Sequence, residues 1–258
     1  MVEHEDEVID EPIDQDAGAD FDPDTPPPAA EPGDDMEYDP DSEPLEPPVV
    51  PTVPQHKPRY LWCLDNGHGN LSPGKRSPVL PEGKRFYEYE FNRDIVARIE
   101  RSLRLEGVKY FVVVPEVRVG NFLNTRVLRA NTVVSPLPKL FVSVHANAGP
   151  ARTINDFTAD SVRGIETWYY HGSARGQKMA AIFQQHLIEK TGFKNRHLKS
   201  NPGKQFYVLS ATRMPAVLTE SGFFNNRFEV VELNKDAVRQ QIADAHVAAI
   251  MQIERTGL

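Results

Sequence analysis

Four side chains in this sequence have the types and settings that metal-assisted hydrolysis needs. They are His68 within the run DNGHGN, Glu88 at the start of a predicted helix, His145 within SVHAN and Glu220 within LTESGF. Two imidazoles and one carboxylate make a catalytic zinc site with one position left open. A second carboxylate beside such a site can handle the proton of the attacking water. The four residues therefore predict a zinc-dependent hydrolase.

Parallel strands would bring these side chains to one edge of a sheet. His68 follows the first predicted strand, and His145 and Glu220 lie at the ends of two others. Ligands of open α/β sheets bind beyond the carboxyl ends of the strands, so three separate segments are expected to converge there. The glycines on both sides of His68 are expected to let a metal and a substrate approach the backbone closely.

Glu88 is chosen over its neighbour Glu90 on helical geometry. Glu88 precedes Ile95 by seven residues, about 700° around a helix with 3.6 residues per turn, which is roughly 20° from the apolar stripe. Glu90 points away from that stripe. A carboxylate in an apolar stripe is costly unless a cation binds it, and a metal at the sheet edge would do so.

The elements that position these residues alternate between strand and helix. Apolar periodicity and turn signals predict strands at residues 60–64, 110–114, 140–145, 165–170 and 216–220, and helices at 87–106, 121–131, 174–190 and 235–255. This order favours a single α/β domain of three layers, with a mainly parallel sheet covered by helices on both faces.

Residues 1–56 differ in composition from the rest of the chain. They hold 19 of the 37 acidic residues and 12 of the 22 prolines, but no Lys or Arg. Such a segment buries too little apolar surface to offset chain entropy, and its like charges keep it extended. We predict a disordered, acidic, proline-rich tail at residues 1–56 and a folded domain at residues 57–258.

The predicted domain carries the opposite charge. Residues 57–258 keep all 29 basic residues against 37 − 19 = 18 acidic ones, a formal charge of 29 − 18 = +11, although the whole chain has −8. A basic domain suits a polyanion such as nucleic acid, an anionic membrane or a cell-wall polymer, and an acidic tail can screen it. A regulatory or docking role for the tail and a solubilising role remain open.

The remaining composition excludes several classes of protein. The single cysteine, Cys63, lies in the apolar run YLWCL, where a buried thiol that fills space is expected. No run of about 18 apolar residues could cross a bilayer, so no transmembrane segment is expected. The amino-terminal sequence lacks the basic and apolar regions of a Sec-type signal, so synthesis in a cytosol is expected.

Other polar residues have simpler explanations. A lone histidine is more often structural than a ligand, and His171, His186 and His197 are interpreted in that way. Glu166 is either a further carboxylate of the cleft or half of a salt bridge at the sheet edge. Asp65 either hydrogen-bonds a ligand imidazole or belongs to a turn at the end of its strand.

Several motifs, in order and spacing, closely resemble the zinc-dependent N-acetylmuramoyl-L-alanine amidases, the family often called amidase type 3. They are LDNGHG at 64–69, Glu88 with Asn92, Arg126 with Ala130 and Asn131, FVSVHAN at 141–147, GIETWYY at 164–170 and MPAVLTESGF at 214–223. The resemblance covers about Tyr60 to Arg255. It implies a zinc-exopeptidase-like fold, one Zn²⁺ held by His68, Glu88 and His145, and Glu220 as the catalytic carboxylate.

Two motifs depart from the pattern usual in that family. The family usually has DPGHGG where this chain has DNGHGN at 65–70, and LVELGF where it has LTESGF at 218–223. The metal-binding and catalytic side chains are unchanged, so the departures bear on substrate fit more than on chemistry. Residues 148–163 exceed a tight turn and are expected to form a loop over the cleft.

The resemblance implies hydrolysis of the amide between N-acetylmuramic acid and L-alanine. We expect peptidoglycan as the partner and no nucleic acid. We expect a phage lysis enzyme, made in the host cytoplasm, that acts on the wall after its release. Two alternatives are a zinc carboxypeptidase-like murein peptidase and a non-catalytic murein-binding or virion protein.

Overall fold

The structure, a computed structural model, describes residues 57–72 and 74–258. The predicted acidic tail at residues 1–56 lies outside the described residues. Among the residues described, no helix is both long enough and apolar enough to cross a membrane.

Six strands and six helices make up this described part. The strands are β1 Leu61–Asn66, β2 Lys109–Val112, β3 Lys139–Asn147, β4 Ile165–Tyr169, β5 Asn195–Lys199 and β6 Ala216–Phe223. The helices are α1 Glu88–Leu105, α2 Leu123–Thr132, α3 Ala174–Thr191, α4 Tyr207–Ser210, α5 Glu229–Leu233 and α6 Asp236–Thr256.

The strands form one sheet in the order β2-β1-β3-β6-β4-β5. β1 pairs in parallel with β2 and β3, and β3 pairs in parallel with β6. β4 runs antiparallel to β6 and parallel to β5. The prediction of a mainly parallel sheet is confirmed, and the reversal at β4 brings its amino end beside the carboxyl end of β6.

Side chains of the strands alternate between two apolar layers because successive residues of a strand point to opposite faces. On one face, Trp62 and Leu64 of β1 pack with residues of α1, α3 and α6. On the other face, Cys63 packs with Val127 of α2 and with residues around α4. Helices therefore cover both faces, as predicted, and Cys63 is a buried core thiol whose pKa burial raises to about 11.

Helix α1 follows the predicted stripe. Phe91, Ile95, Ile99 and Leu103 are fully buried. The helix begins one residue after the predicted start and ends one residue before the predicted end. Gly107 adopts a left-handed conformation (φ 72°) just beyond the helix and lets the chain turn toward β2.

Three short elements were not predicted. β5 has the polar sequence NRHLK and lies at the edge of the sheet, so it has no apolar alternation to reveal it. α4 has four residues and α5 has five, too few for a helical period.

Helix α2 begins two residues later than predicted because Phe122 precedes it in a left-handed conformation (φ 55°).

Candidate metal centre and catalytic cleft

A cleft of about 360 Å³ opens at the carboxyl ends of β1, β3 and β6. Parallel strands end at the same edge of a sheet, so loops and side chains from distant segments meet there. The cleft is lined by His68, Lys75, Glu88, Asn121, Leu123, His145, Ala146, Asn147, Ala148, Phe206, Tyr207, Val208, Leu218 and Glu220. All four predicted site residues are among them.

His68, Glu88 and His145 form one compact cluster. His68 Nε2 lies 3.5 Å from Glu88 Oε2, and His145 Nδ1 lies 3.0 Å from Glu88 Oε1. One ligand atom from each residue lies within 4.8 Å of the other two, an arrangement that can hold a metal ion. The two rings meet nearly edge to face, with their centroids 4.9 Å apart.

Helix geometry brings Glu88 to this cluster. Glu88 is 1% exposed, whereas Glu90 in the same turn is exposed. The prediction that Glu88 faces the core and Glu90 faces away is therefore confirmed. The Glu88 backbone N–H donates to Lys75 O (3.0 Å), which fixes the first turn of α1 against the preceding loop.

The glycines on both sides of His68 leave room for neighbouring parts of the protein. A Cβ on Gly67 would lie 2.0 Å from Cε1 of His145, and one on Gly69 would lie 2.0 Å from the carbonyl oxygen of Val119. Both glycines therefore make room for other parts of the protein. The left-handed conformation falls on His68 itself (φ 62°).

Hydrogen bonds on the outer side of the rings determine which nitrogens carry hydrogen. His68 Nδ1 donates to Asn121 Oδ1 (2.9 Å), because an amide oxygen only accepts. Ser143 gives its single hydroxyl hydrogen to the Asp65 carboxylate, so Ser143 Oγ accepts from His145 Nε2 (3.0 Å). When the two rings are neutral, the inner nitrogens, Nε2 of His68 and Nδ1 of His145, carry lone pairs directed at the carboxylate between them.

This arrangement of acceptors fits a divalent metal. Glu88 Oε2 is buried and has no hydrogen-bond partner among the described residues. A carboxylate and two imidazole lone pairs repel one another unless a cation lies between them. Nitrogen and carboxylate ligands suit zinc, which would keep one coordination position free toward the cleft.

The protonation states also suit metal ligands. Burial raises the pKa of Glu88, but the two neighbouring imidazoles outweigh burial and lower the pKa to about 2. Burial lowers the pKa of His68 to about 4, although the charge of Glu88 opposes this shift. At neutral pH Glu88 is therefore ionised and His68 is neutral, as metal binding requires.

Glu220 lies directly across from His145 in the register of β6 and β3. Its Oε2 is buried and without a hydrogen-bond partner among the described residues. Burial raises the pKa of Glu220 well above its ordinary value, and the charges of Glu88 and Glu166 add to the shift. A carboxylate with a raised pKa is a stronger base than an ordinary glutamate, which suits Glu220 to accept a proton and to return it in a reaction.

Glu166 belongs to a salt bridge behind the cleft, the second of the two predicted alternatives. It is 4% exposed, and its Oε2 accepts from Arg196 Nε (2.7 Å). Its Oε1 accepts from the side chains of Asn147 and Trp168, each at 3.0 Å. Glu166 thus acts on Glu220 by charge and holds Asn147 in the wall of the cleft.

Asp65 reaches a ligand imidazole only through another side chain. Its carboxylate accepts from Arg126 and Ser143, and Ser143 in turn accepts from His145. Of the two alternatives given for Asp65, a direct bond to an imidazole is not found among the described residues, and the contact with His145 runs through Ser143.

The three histidines interpreted as structural lie outside the cluster. His171 is exposed, His186 bonds Gln252 and His197 is exposed in a left-handed conformation.

The cleft wall also contains residues that were not predicted, among them Lys75, Asn121, Phe206 and Tyr207. Phe206 and Tyr207 are 39% and 43% exposed. The positive charge of Lys75 contributes to the low pKa of Glu88 and partly opposes the rise in the pKa of Glu220. The aromatic pair was the only sequence signal for this wall, because Lys75 and Asn121 lie in loops without periodicity.

The loop at residues 148–163 contributes Ala148 to the cleft. Its other contacts hold it beside the turn after β6: Gly149 N–H donates to Asn225 Oδ1 (2.7 Å), and Asn226 Nδ2 donates to the carbonyl oxygens of Asp160 and Val162. The loop therefore borders the cleft at its β3 end.

The fold and the cluster define an α/β protein with a set of side chains at the carboxyl edge of its sheet that can hold a metal ion. Residues 63–252 match the sequence profile of the N-acetylmuramoyl-L-alanine amidase family, Amidase_3. The chain belongs to this family.

Curated relatives include proteins of phage and of bacteria. The endolysin of Bacillus phage SPP1 is 30% identical over 204 residues, which cover 76% of this chain and 66% of the endolysin. The N-acetylmuramoyl-L-alanine amidase LytC of Bacillus subtilis is 30% identical, and the match covers 72% of this chain and 34% of LytC. The chain thus spans about two thirds of one relative and about one third of the other.

Solved structures of N-acetylmuramoyl-L-alanine amidases are similar to this chain. An N-acetylmuramoyl-L-alanine amidase of Clostridium difficile superposes with a TM-score of 0.64 at 25% identity, covering 76% of this chain and 97% of that one. The amidase AmiC2 of Nostoc punctiforme gives a TM-score of 0.62 at 25% identity, with 76% and 98% covered.

Proposed function

We propose that this protein is a zinc-dependent N-acetylmuramoyl-L-alanine amidase that hydrolyses peptidoglycan. The observation that carries the proposal is the cluster of His68, Glu88 and His145, in which Glu88 is buried, with the Glu220 carboxyl beside it. Membership of the amidase family and the 30% identity to a phage endolysin support the same activity.

One Zn²⁺ would be held by His68 Nε2, His145 Nδ1 and the carboxylate of Glu88. When bound, zinc supplies a Lewis acid that makes water a nucleophile near neutral pH and polarises a carbonyl oxygen. Glu88 contributes a full negative charge, because its pKa is about 2, and it holds the two imidazoles on either side of it.

Glu220 handles the proton. It accepts a proton from the water that attacks the lactyl carbonyl of N-acetylmuramic acid. The same carboxyl then donates that proton to the nitrogen of L-alanine, because an amine leaves an amide poorly until it is protonated.

The walls of the cleft suit a sugar and a short peptide. Phe206 and Tyr207 offer apolar ring surface with a polar hydroxyl on the tyrosine, which is typical of surfaces that contact partly polar ligands. Lys75 supplies a positive charge on the same cleft for carbonyl or carboxylate oxygens of the stem peptide.

The biological setting we propose is phage lysis. The enzyme would be made in the host cytoplasm and would act on cell-wall peptidoglycan after its release. The relative in Bacillus phage SPP1, named as an endolysin, supports this setting. The net charge of +11 on residues 57–258 would favour adsorption to anionic wall polymers.

Mass spectrometry of digested peptidoglycan tests the activity. Purified sacculi are incubated with the zinc-loaded protein and, separately, with chelator-treated protein. The expected products are intact stem peptides with a free L-alanine amino group, present only in the zinc-loaded reaction. Shortened stem peptides would instead identify a zinc peptidase, and undigested wall with bound protein would identify a binding protein.

A further inference from the structure

Arg126 of α2 is a charged residue buried beneath the metal centre. It is 1% exposed and shares the buried face of α2 with apolar residues. Burying a guanidinium is costly unless its N–H groups are satisfied. Arg126 must therefore make bonds that justify its position.

The guanidinium donates four hydrogen bonds, three to residues 65–68 at the end of β1 and one to the segment just before α2. Nε donates to Asn121 O (2.8 Å) and Nη2 to His68 O (2.8 Å). Nη1 donates to Asn66 O (3.0 Å) and to the Asp65 carboxylate. These acceptors lead to both imidazoles: one is the backbone of His68 itself, Asn121 bonds the His68 ring, and Asp65 reaches the His145 ring through Ser143.

One branch of these contacts leads to His68. The bond from Nη2 fixes the His68 carbonyl while that residue holds a left-handed conformation (φ 62°), which costs energy in a residue with a Cβ. The bond from Nε fixes the backbone of Asn121, whose side chain accepts from His68 Nδ1 (2.9 Å). Arg126 thus holds the partner of the His68 ring and, together with Arg93 Nη1 (3.0 Å), the carbonyl oxygen of His68.

The other branch leads to His145. Asp65 accepts from Arg126 with one oxygen and from the Ser143 hydroxyl with the other. Ser143 Oγ accepts from His145 Nε2 (3.0 Å). The guanidinium therefore orients the carboxylate that orients the serine that orients the ring.

We propose that Arg126 is a positioning residue that sets the direction and the tautomer of both metal-binding imidazoles. This inference rests on the proposed zinc site. Partners on the outer nitrogens of ligand histidines typically contribute about 10- to 100-fold to metal affinity. A lysine cannot replace the planar fork of an arginine, because its single ammonium group cannot reach four divergent acceptors in a fixed geometry.

Zinc affinity measured by competition with a chromophoric chelator tests this proposal in the full-length protein. Arg126→Lys is expected to raise the zinc dissociation constant by about 10- to 100-fold. Arg129→Lys is the matched control: Arg129 lies on the outer side of the same helix and pairs with Glu116, so its substitution is expected to leave zinc affinity unchanged.

A spectroscopic readout separates positioning from a loss of folding. The cobalt(II)-substituted protein reports ligand geometry through its visible absorption, and Arg126→Lys is expected to change that spectrum while Arg129→Lys retains it. Circular dichroism of the metal-free variants records whether each one is folded.

Two further variants test each branch if Arg126→Lys does not fold. Asn121→Ala removes the partner of His68 at an exposed position, and Ser143→Ala removes the partner of His145. Each is expected to weaken zinc binding by about 10-fold. If Arg126→Lys does fold, adding Asn121→Ala to it should raise the zinc dissociation constant by a smaller factor than Asn121→Ala does in the wild-type protein, because the two residues share one hydrogen-bond network.

The proposal is overturned if folded variants of Arg126, Asn121 and Ser143 bind zinc as tightly as the wild-type protein does. A wild-type protein that binds no zinc would instead overturn the metal site itself, and this inference with it. The wild-type titration therefore distinguishes the two failures.

Discussion

Glu88 and Glu220 are two buried carboxyl groups whose surroundings push their pKa values in opposite directions. The imidazoles beside Glu88 lower its pKa to about 2, whereas burial and neighbouring carboxylates raise the pKa of Glu220. Pairs of this kind separate the roles of otherwise identical side chains. Glu88 suits a permanent negative charge, and Glu220 suits the transfer of a proton.

Replacing Glu220 with Gln is expected to abolish turnover while zinc remains bound. The amide keeps the size of the carboxyl but can neither accept nor return a proton, and general acid–base catalysis is typically worth about 10²- to 10⁴-fold in rate. Release of L-alanine amino groups from sacculi and the zinc content of the purified protein are the measurements.

His145→Ala is the contrasting variant, because it removes a proposed ligand and is expected to lose zinc and activity together. An active, zinc-loaded Glu220→Gln protein would refute the assignment of Glu220. Since Glu220 Oε2 has no hydrogen-bond partner among the described residues, the Gln variant is also expected to unfold at no lower temperature than wild type.

At the scale of elements, helix α6 holds a buried histidine against the strand that carries Glu220. His246 is 0% exposed, and its ring bonds the Ile242 carbonyl oxygen (2.8 Å) and the Thr219 hydroxyl (2.9 Å). Burial lowers the pKa of His246 to about 4. The contact between α6 and β6 therefore depends on a neutral imidazole.

Acid is expected to destabilise the folded protein through His246. Because its pKa is about 6.5 unfolded and about 4 folded, the unfolded chain binds the proton more tightly. The stabilisation is complete above pH 6.5 and is lost as the pH falls through 4. The difference corresponds to about 3 kcal/mol of unfolding free energy. Urea unfolding of the metal-free protein between these pH values measures it.

His246→Gln is expected to reduce this pH dependence, whatever its effect on stability at pH 7, and the part that remains is expected from His68, whose pKa burial also lowers to about 4. His186→Gln is the control, because the His186 ring lies near the surface of α3 and bonds Gln252, and it should retain the wild-type dependence. If the unfolding free energy of wild type and of His246→Gln falls equally as the pH is lowered, groups other than His246 cause the acid sensitivity.

At the scale of the whole molecule, the charge of the chain is divided between two regions. Residues 1–56 carry 19 acidic and no Lys or Arg residues, whereas residues 57–258 have a formal charge of +11. We propose that the acidic tail either screens the basic charge of residues 57–258 until lysis or docks the enzyme on a partner.

Removal of residues 1–55, which leaves a chain starting at His56, is expected to speed hydrolysis of sacculi at low salt. The advantage should shrink at high salt, because screening shortens the reach of surface charges to about 10 Å at 0.1 M and about 3 Å at 1 M. Equal rates of the full-length and shortened proteins at both salt concentrations would contradict a screening role and leave the docking role.

Much of the fold could be predicted because its signals are local. The apolar stripe of α1 repeats with the helical period, and the buried strands β1, β3 and β6 are apolar runs. The same logic placed His68, His145 and Glu220 at one sheet edge and turned Glu88 toward them. β5, α4 and α5 escaped prediction, since a polar edge strand and single helical turns carry no period.

The chemistry of the site was thus contained in the sequence: two imidazoles and two carboxylates at the ends of predictable elements. Their working state was not, because a pKa and a tautomer depend on burial and on contacts between segments far apart in the chain. Only the tertiary structure decided that Gly67 makes room for the His145 ring, that Glu166 pairs with Arg196, and that Arg126 links both imidazoles. Periodicity predicts which face of an element is buried, whereas long-range packing determines which polar group meets which.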